Sequence, residues 1–270
     1  MPDADEQSVL LDTACRLART GGAIAAGRIG QAETRRKPDR TFITQVDLEI
    51  QEALLEVIGA RFGHHAVLVE EEVAHPDRHA PVDQAAYCWV IDPLDGTRNF
   101  SRALPVFSTS VAVMCDGYPM VGAVCHATTG QVFAASVGNG STLDGRPIRV
   151  RDEPPTRDTM VFMRGKTGAP ALPVMHHWLD RFAFRNIGSA ALHLAFVAAG
   201  VIDAAYHQQC KLWDVAAGYL LVTEAGGAIT SPTGERVFPH TPADYADEDI
   251  GFLAAGPNLH AHLLADARAC

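Results

Sequence analysis

The run Trp89-Val90-Ile91-Asp92-Pro93-Leu94-Asp95-Gly96-Thr97-Arg98-Asn99-Phe100 constrains this chain more than any other stretch. The apolar segment Tyr87–Ile91 reads as a strand that drives into two carboxylates three residues apart, followed at once by Gly-Thr. Carboxylates at a strand end supply the hard oxygens that magnesium takes in near-octahedral geometry. Pro93 stiffens the turn between the acids and has no N–H to satisfy, and Gly96 lets the backbone approach an anion closely. If a helix starts there, the N–H groups of Gly96 and Thr97 cup a phosphate. Metal carboxylates, anion-binding amides and a hydroxyl within six residues predict a metal-dependent phosphatase. A calcium EF-hand loop needs acids at its first, third and fifth positions, which this spacing lacks, and there is no Asp-x-Asp of the haloacid-dehalogenase type. A plain Asx-Pro turn capped by Asp95 accounts for the same residues without any chemistry.

Three other segments carry acids in suggestive places. In Leu212-Trp213-Asp214-Val215-Ala216-Ala217-Gly218, Asp214 opens an apolar helical run that ends at Gly226-Gly227. It is either an N-cap or a carboxylate aimed into a site, and Ala216, Ala217 and Gly218 are small enough for close helix packing. Val67-Leu68-Val69-Glu70-Glu71-Glu72 ends a short strand in three acids, a solvated charge run or a cation-relieved cluster. Lys37-Pro38-Asp39-Arg40-Thr41-Phe42-Ile43-Thr44-Gln45-Val46-Asp47 precedes an amphipathic helix carrying Leu48, Leu54, Leu55, Val57 and Ile58. Thr44 and Asp47 can be caps of that helix.

In this order, and over roughly residues 10 to 265 including the late Leu143-Asp144-Gly145-Arg146-Pro147-Ile148 turn, the segments resemble the inositol monophosphatase family of lithium-sensitive, magnesium-dependent phosphatases. The resemblance implies a five-layer α-β-α-β-α sandwich of the inositol monophosphatase and fructose-1,6-bisphosphatase type, acting as a homodimer on a small phosphorylated metabolite. It implies two or three Mg2+ ions. Glu70, Asp92 and the Leu94 carbonyl would hold one, and Asp92, Asp95 and Asp214 a second. Phosphate and substrate would lie against Asp95, Gly96, Thr97, Gly188, Ser189 and His207. Glu70 and a Thr97–Asp47 pair would orient the attacking water between two metals, with no phosphoenzyme.

The chain also departs from the family pattern. Val69 stands where the family has Gly before Glu-Glu, and Thr41 where inositol-specific members have Asp. The Lys37-to-Asp47 spacing is closer to the histidinol-phosphate and adenosine 3′,5′-bisphosphate phosphatase branches. Inositol-type members place a sugar-binding Glu where this chain has His207. An imidazole there offers one donor and one acceptor and can turn cationic in mild acid, which predicts broad phosphomonoester activity. The alternative is that His207 ends a strand on the surface. Substrates therefore range over inositol monophosphate, histidinol phosphate, a 3′-phosphoadenosine nucleotide and fructose 1,6-bisphosphate. A non-catalytic binding or regulatory role on the same fold is the rival of another class.

At 270 residues and 47% apolar the chain can bury a large core. A net charge of −10 and a pI near 5.6 argue against nucleic acid or an anionic membrane as partners. Cys15, Cys88, Cys115, Cys125, Cys210 and Cys270 show no paired spacing and read as free thiols in a reducing compartment; lacking Cys-x-x-Cys, zinc is not expected. The pairs His64-His65 and His176-His177 read as surface residues. The acidic start Met1–Glu6 resembles no signal peptide and no apolar run reaches membrane-spanning length, so the expected location is cytoplasmic.

Helices are expected over 7–29, where Gly21-Gly22 marks close packing, and over 46–62. Strands follow at Ala66–Val69, Tyr87–Ile91, Val106–Met114, Met120–His126 and Gln131–Ala135, the last three forming an antiparallel meander. Pro154-Pro155 breaks the chain into an N-terminal α+β half, 1–152, carrying Glu70, Asp92 and Asp95, and a C-terminal half, 153–270, carrying Asp214, packed as one unit. The second half alternates strands Thr159–Met163, Ala183–Arg185, Ala204–His207, Ala228–Ser231 and Gly251–Ala255 with helices Leu172–Arg181, Ala190–Ala199, Val215–Ala225 and Pro257–Ala267, a pattern of layered α/β packing.

Overall fold

The apolar periods of the first half build two helices over one sheet. In a computed structural model that describes residues 4–31, 34–36, 42–71, 79–165 and 172–269, helix α1 (Ala4–Arg28) and strands β1 (Thr34–Arg36) and β2 (Phe42–Thr44) lead into α2 (Gln45–Phe62). Then come β3 (Ala66–Val69), β4 (Cys88–Asp95), the single turn α3 (Thr97–Phe100), β5 (Ser108–Cys115), β6 (Tyr118–His126), β7 (Gln131–Ser136), β8 (Ser141–Leu143) and β9 (Arg146–Ile148). β3 to β9 form one seven-stranded sheet in chain order, parallel only between β3 and β4. The expected meander is present and continues into β8 and β9, whose Asp144-Gly145 hairpin has both residues at positive φ, as a two-residue I′ connection requires.

The second half supplies β10 (Met160–Arg164), α4 (Pro173–Leu179), β11 (Ala183–Arg185), α5 (Ala190–Ala198), β12 (Ala204–His207), α6 (Leu212–Glu224), β13 (Ala228–Thr230), β14 (Phe252–Ala255) and α7 (Pro257–Ala269). Its five strands lie in the order β11-β10-β12-β14-β13, with β10, β11 and β12 parallel and β14 antiparallel to its neighbours.

Three apolar clusters separate five layers. α1 and α2 bury Leu10, Leu17, Ile50 and Leu54 against one face of the first sheet, through Trp89, Ile91 and Val111. α5 and α6 fill the middle layer between the two sheets. α4 and α7 cover the outer face of the second sheet with Trp178, Leu259 and Leu263. Close approaches depend on small residues: a Cβ on Gly122 of β6 would meet the Ala217 Cα of α6 at 2.9 Å, and one on Gly22 of α1 would meet Cys125 Sγ at 2.7 Å.

Several details differ from expectation. Leu48 and Val57 of α2 are exposed. His65 is buried, where its Nδ1 accepts from Trp89 Nε1 at 3.1 Å and burial pushes it down to about 4. Lys37–Thr41 and Glu72 lie outside the described residues. The five described cysteines are free. Among the described residues, no helix is long and apolar enough to cross a membrane.

Candidate metal centre

Where the sequence predicts a strand end at Ile91, β4 continues through both acids to Asp95. Residues three apart on a regular strand face opposite sides of the sheet. Here Asp92 pairs with Ser110 and Asp95 with Ser108, so Pro93 and Leu94 stand opposite Thr109 alone. This bulge shifts the side-chain phase. The Leu94 side chain is buried among the α1/α2 layer, while Asp92 and Asp95 both turn to the middle layer. Thr109 Oγ1 donates to the Pro93 carbonyl at 2.9 Å, and Asp92 Oδ1 accepts from Leu94 N at 2.9 Å.

The middle layer delivers the third acid. α6 begins at Leu212, so Asp214 is its third residue rather than its N-cap; its Oδ2 accepts from Lys211 N at 2.7 Å. The Lys211 ammonium is held by Asp247 and Asp249 at 3.1 and 3.4 Å. Ser110 Oγ donates to the Trp213 carbonyl at 3.3 Å and ties the start of α6 to β5.

One oxygen from each of Asp92, Asp95 and Asp214 lies within 4.8 Å of the others. Burial raises all three carboxyls. Asp92 stands well above the usual range because the charges of Glu70, Asp95 and Asp214 add to its burial. Asp214 is pushed up to about 6 by burial and then by Asp95. The neighbouring Asp214 carboxyl adds to the rise at Asp92, as expected of buried acids this close together. A buried set of hard oxygens that must otherwise hold a proton fits a divalent cation such as magnesium.

Asp47 and Thr97 meet beside this triad. Thr97 Oγ1 lies 3.3 Å from Asp47 Oδ1 and 3.0 Å from the Leu94 carbonyl, the two acceptors it can donate to. Asp47 is also the N3 residue of the α2 capping box, accepting from Thr44 N at 2.8 Å and Thr44 Oγ1 at 2.5 Å. Capping and site geometry thus coexist in one carboxyl. Burial raises Asp47 to about 6, and Glu71 adds to the rise. Half-buried Glu70 hydrogen-bonds through its N–H to the Ile91 carbonyl at 3.3 Å and bears on Asp92; its neighbour Glu71 bears on Asp47. Gly96, at φ 96°, starts α3.

Ser189 and Gly188 reach the site from the second half. Ser189 Oγ donates to Asp95 Oδ2 at 2.5 Å, and the N–H groups of Ala190 and Ala191 donate to the same carboxylate at 3.1 and 2.8 Å. Ser108 Oγ adds a fourth donor at 3.2 Å. Asp95 therefore caps α5 from across the layers. Asn99 Nδ2 donates to the carbonyls of Val106 and Ile187, both at 2.7 Å, and position 188 admits only a glycine, because a Cβ there would strike Asn99 at 2.8 Å.

His207 is placed differently from both expectations. It is fully buried in β12, neither on the surface nor with a ring nitrogen left for a sugar hydroxyl. Nε2 contacts His193 Nδ1 at 2.5 Å, Nδ1 contacts Cys210 Sγ at 3.2 Å, and the ring stacks on Phe252. Burial, then His193 and Arg164, hold it well below its usual range, so the expected cation in mild acid does not form.

Sequence reasoning gave no role to Ser108, Asn99 or Arg164. Asn99 and Arg164 had signals: a polar amide inside the first motif, and a lone cation ending an apolar strand.

A sequence profile of the inositol monophosphatase family matches residues 6–270, and the chain belongs to that family. It is 34% identical over 234 residues to the Nus factor SuhB of Pasteurella multocida, covering 83% of this chain and 86% of that protein. It is similar in structure to the inositol monophosphatase of Anabaena sp. PCC 7120, at 27% identity, a TM-score of 0.80 and coverage of 98% and 97%. An IMPase/NADP phosphatase complexed with Mg2+ and phosphate shares the fold at 20% identity, a TM-score of 0.81 and coverage of 97% and 95%.

Proposed function

We propose that the chain is a magnesium-dependent phosphomonoesterase that hydrolyses inositol monophosphate or a related small phosphate ester. The observation that carries this reading is the convergence of Asp92, Asp95 and Asp214 from two parts of the chain beside the Asp47–Thr97 pair. Glu70, Asp92, the Leu94 carbonyl, Asp95 and Asp214 would hold the metal, and Gly96, Thr97, Gly188 and Ser189 would face the phosphate and substrate. The halves 1–152 and 153–270 then work as one unit, because each supplies part of the site. Bound magnesium supplies Lewis-acid stabilisation of the phosphoryl charge and lowers the pKa of water.

The protein's own groups handle the proton. The Thr97 hydroxyl donates to Asp47 and keeps lone pairs that accept from a water, which orients that water for in-line attack. Asp47, raised to about 6, is a carboxylate at neutral pH and basic enough to take the proton. The N–H of Thr97, first residue of α3, has no acceptor within its own helix and would be available to a phosphoryl oxygen.

The test is phosphate release from a panel of phosphomonoesters with and without magnesium, including histidinol phosphate, a 3′-phosphoadenosine nucleotide and fructose 1,6-bisphosphate. Magnesium-dependent turnover that Asp214→Asn abolishes supports the reading; bound magnesium with no turnover on any ester sinks it. A second reading has its own observation: the relatives named Nus factor SuhB bear the name of a factor, not of a hydrolase. That name qualifies the expectation that a small phosphorylated metabolite is the only partner and that nucleic acid is excluded.

A further inference from the structure

The floor of the site carries a cation that the proposed chemistry does not use. Along β10, Met160 and Phe162 pack into the middle layer while Val161 and Met163 pack against α4 and α7. Side chains alternate along a strand, so Arg164 falls on the middle-layer side, the side of Asp95 and Asp214. It lies at the C-terminal end of a parallel strand, where ligands of open α/β sheets bind, and Gln208 N fixes its carbonyl at 3.1 Å. Its register partner is His207 of β12, on the same side by the same alternation.

That neighbour is neutral and saturated. Ile187 N donates to His193 Nε2 at 3.2 Å, so the His193 proton sits on Nδ1 and is donated to His207 Nε2. The His207 proton then sits on Nδ1 and faces Cys210 Sγ. Neither ring is left to bind an anion or a hydroxyl, and Arg164 supplies the positive charge of this wall. Among the described residues, no hydrogen bond or ion pair engages the half-buried guanidinium, which has five N–H donors in a fork that fits an oxyanion.

We propose that Arg164 is a specificity-determining residue that takes a second anionic group, a carboxylate or a phosphate, on the alcohol portion of the substrate. The proposal rests on the phosphatase reading and narrows it. Esters of neutral polyols leave the guanidinium unused, whereas esters with a further oxyanion pair with it, a charge-assisted contact worth about tenfold to a hundredfold in affinity.

The experiment compares parent, Arg164→Met and Arg164→Lys, as full-length protein with magnesium, on two matched pairs. Glycerol 3-phosphate against 3-phosphoglycerate tests an added carboxylate; fructose 6-phosphate against fructose 1,6-bisphosphate tests an added phosphate. kcat and KM are read for each, and binding is read separately from ligand-induced melting shifts. The expected result is a parent preference for the added oxyanion in at least one pair, expressed in KM. That preference should fall about tenfold or more in Arg164→Met and be partly kept in Arg164→Lys. The pair that responds identifies the second group. A parent without preference in hydrolysis and in binding overturns the proposal. So does an equal change in both members of each pair, which would make Arg164 a counter-charge for Asp95 and Asp214. Binding preference without hydrolysis keeps the proposal and overturns the phosphatase reading.

Discussion

Asp47 and Asp214 are the same local device in different company. Each is the third residue of a helix, each accepts the N–H of the residue before that helix, and each is raised to about 6. Around Asp47 the partners are hydroxyls, Thr44 and Thr97, which satisfy a carboxylate where it stands. Around Asp214 they are two further carboxyls, Asp92 and Asp95, and the charge of Asp95 repels it. Capping therefore explains why an acid sits at both places, and the neighbours decide whether it needs a cation. A helix-start signal says nothing of that choice.

The largest separation should appear in turnover. Asp214→Asn and Asp95→Asn remove full charges from the triad and should cost at least about 10³-fold in kcat, the upper range for one lost electrostatic contact, with unchanged far-UV dichroism. Asp47→Asn should cost about a hundredfold, the lower range for a positioned proton acceptor, with magnesium affinity kept. Equal loss of magnesium affinity in both variants would erase the distinction.

Magnesium-dependent melting comes next. A ligand at a hundred times its Kd stabilises by about 2.7 kcal/mol, so millimolar magnesium should raise the parent melting temperature by several degrees over chelator. Asp47→Asn should respond fully and Asp214→Asn weakly. An unchanged parent melting temperature would count against a preformed acidic site.

pH sharpens the comparison further. Both carboxyls are raised above the usual 3.8, so each binds more protons folded than unfolded. The stability each contributes is fully present below about pH 4 and is lost as pH rises through about 6. In chelator, the melting temperature of parent relative to either Asn variant should thus fall between pH 4 and 7, by the equivalent of about 1–3 kcal/mol. Magnesium should remove this slope at Asp214 and leave it at Asp47; identical slopes with and without magnesium would show that Asp214 is not a ligand.

The smallest effect tests the packing that holds α6 in place. Gly122→Ala, forced against the Ala217 backbone, should destabilise by about 1–3 kcal/mol and lower magnesium affinity with it. Full stability by chemical denaturation would mean that α6 is not fixed from β6.

Most of the layered fold was legible because apolar periods write helices and strands directly; α2, β3 and β12 lie where their residues predict. The short strands β1, β2, β8 and β9 carry too few residues to show a period. α6 begins two residues before Asp214, since its cap comes from the Lys211 backbone, and Lys is no N-cap signal. The Asp-Pro-Leu-Asp spacing announced hard-oxygen chemistry but not the bulge, which shows only in the register against Ser108 and Ser110. His207 was misplaced because its burial depends on His193, Cys210 and Phe252, partners that no local pattern around it names.

The bulge also bears on reversibility. Within it, the Pro93 and Leu94 carbonyls are served by the hydroxyls of Thr109 and Thr97. A backbone N–H releases its acceptor only when the strand comes apart, whereas a hydroxyl swings away about a single bond. The Leu94 carbonyl can therefore change partners while β4 stays folded between its neighbours, and a strand buried along its whole length keeps one acceptor that answers to whatever enters the site.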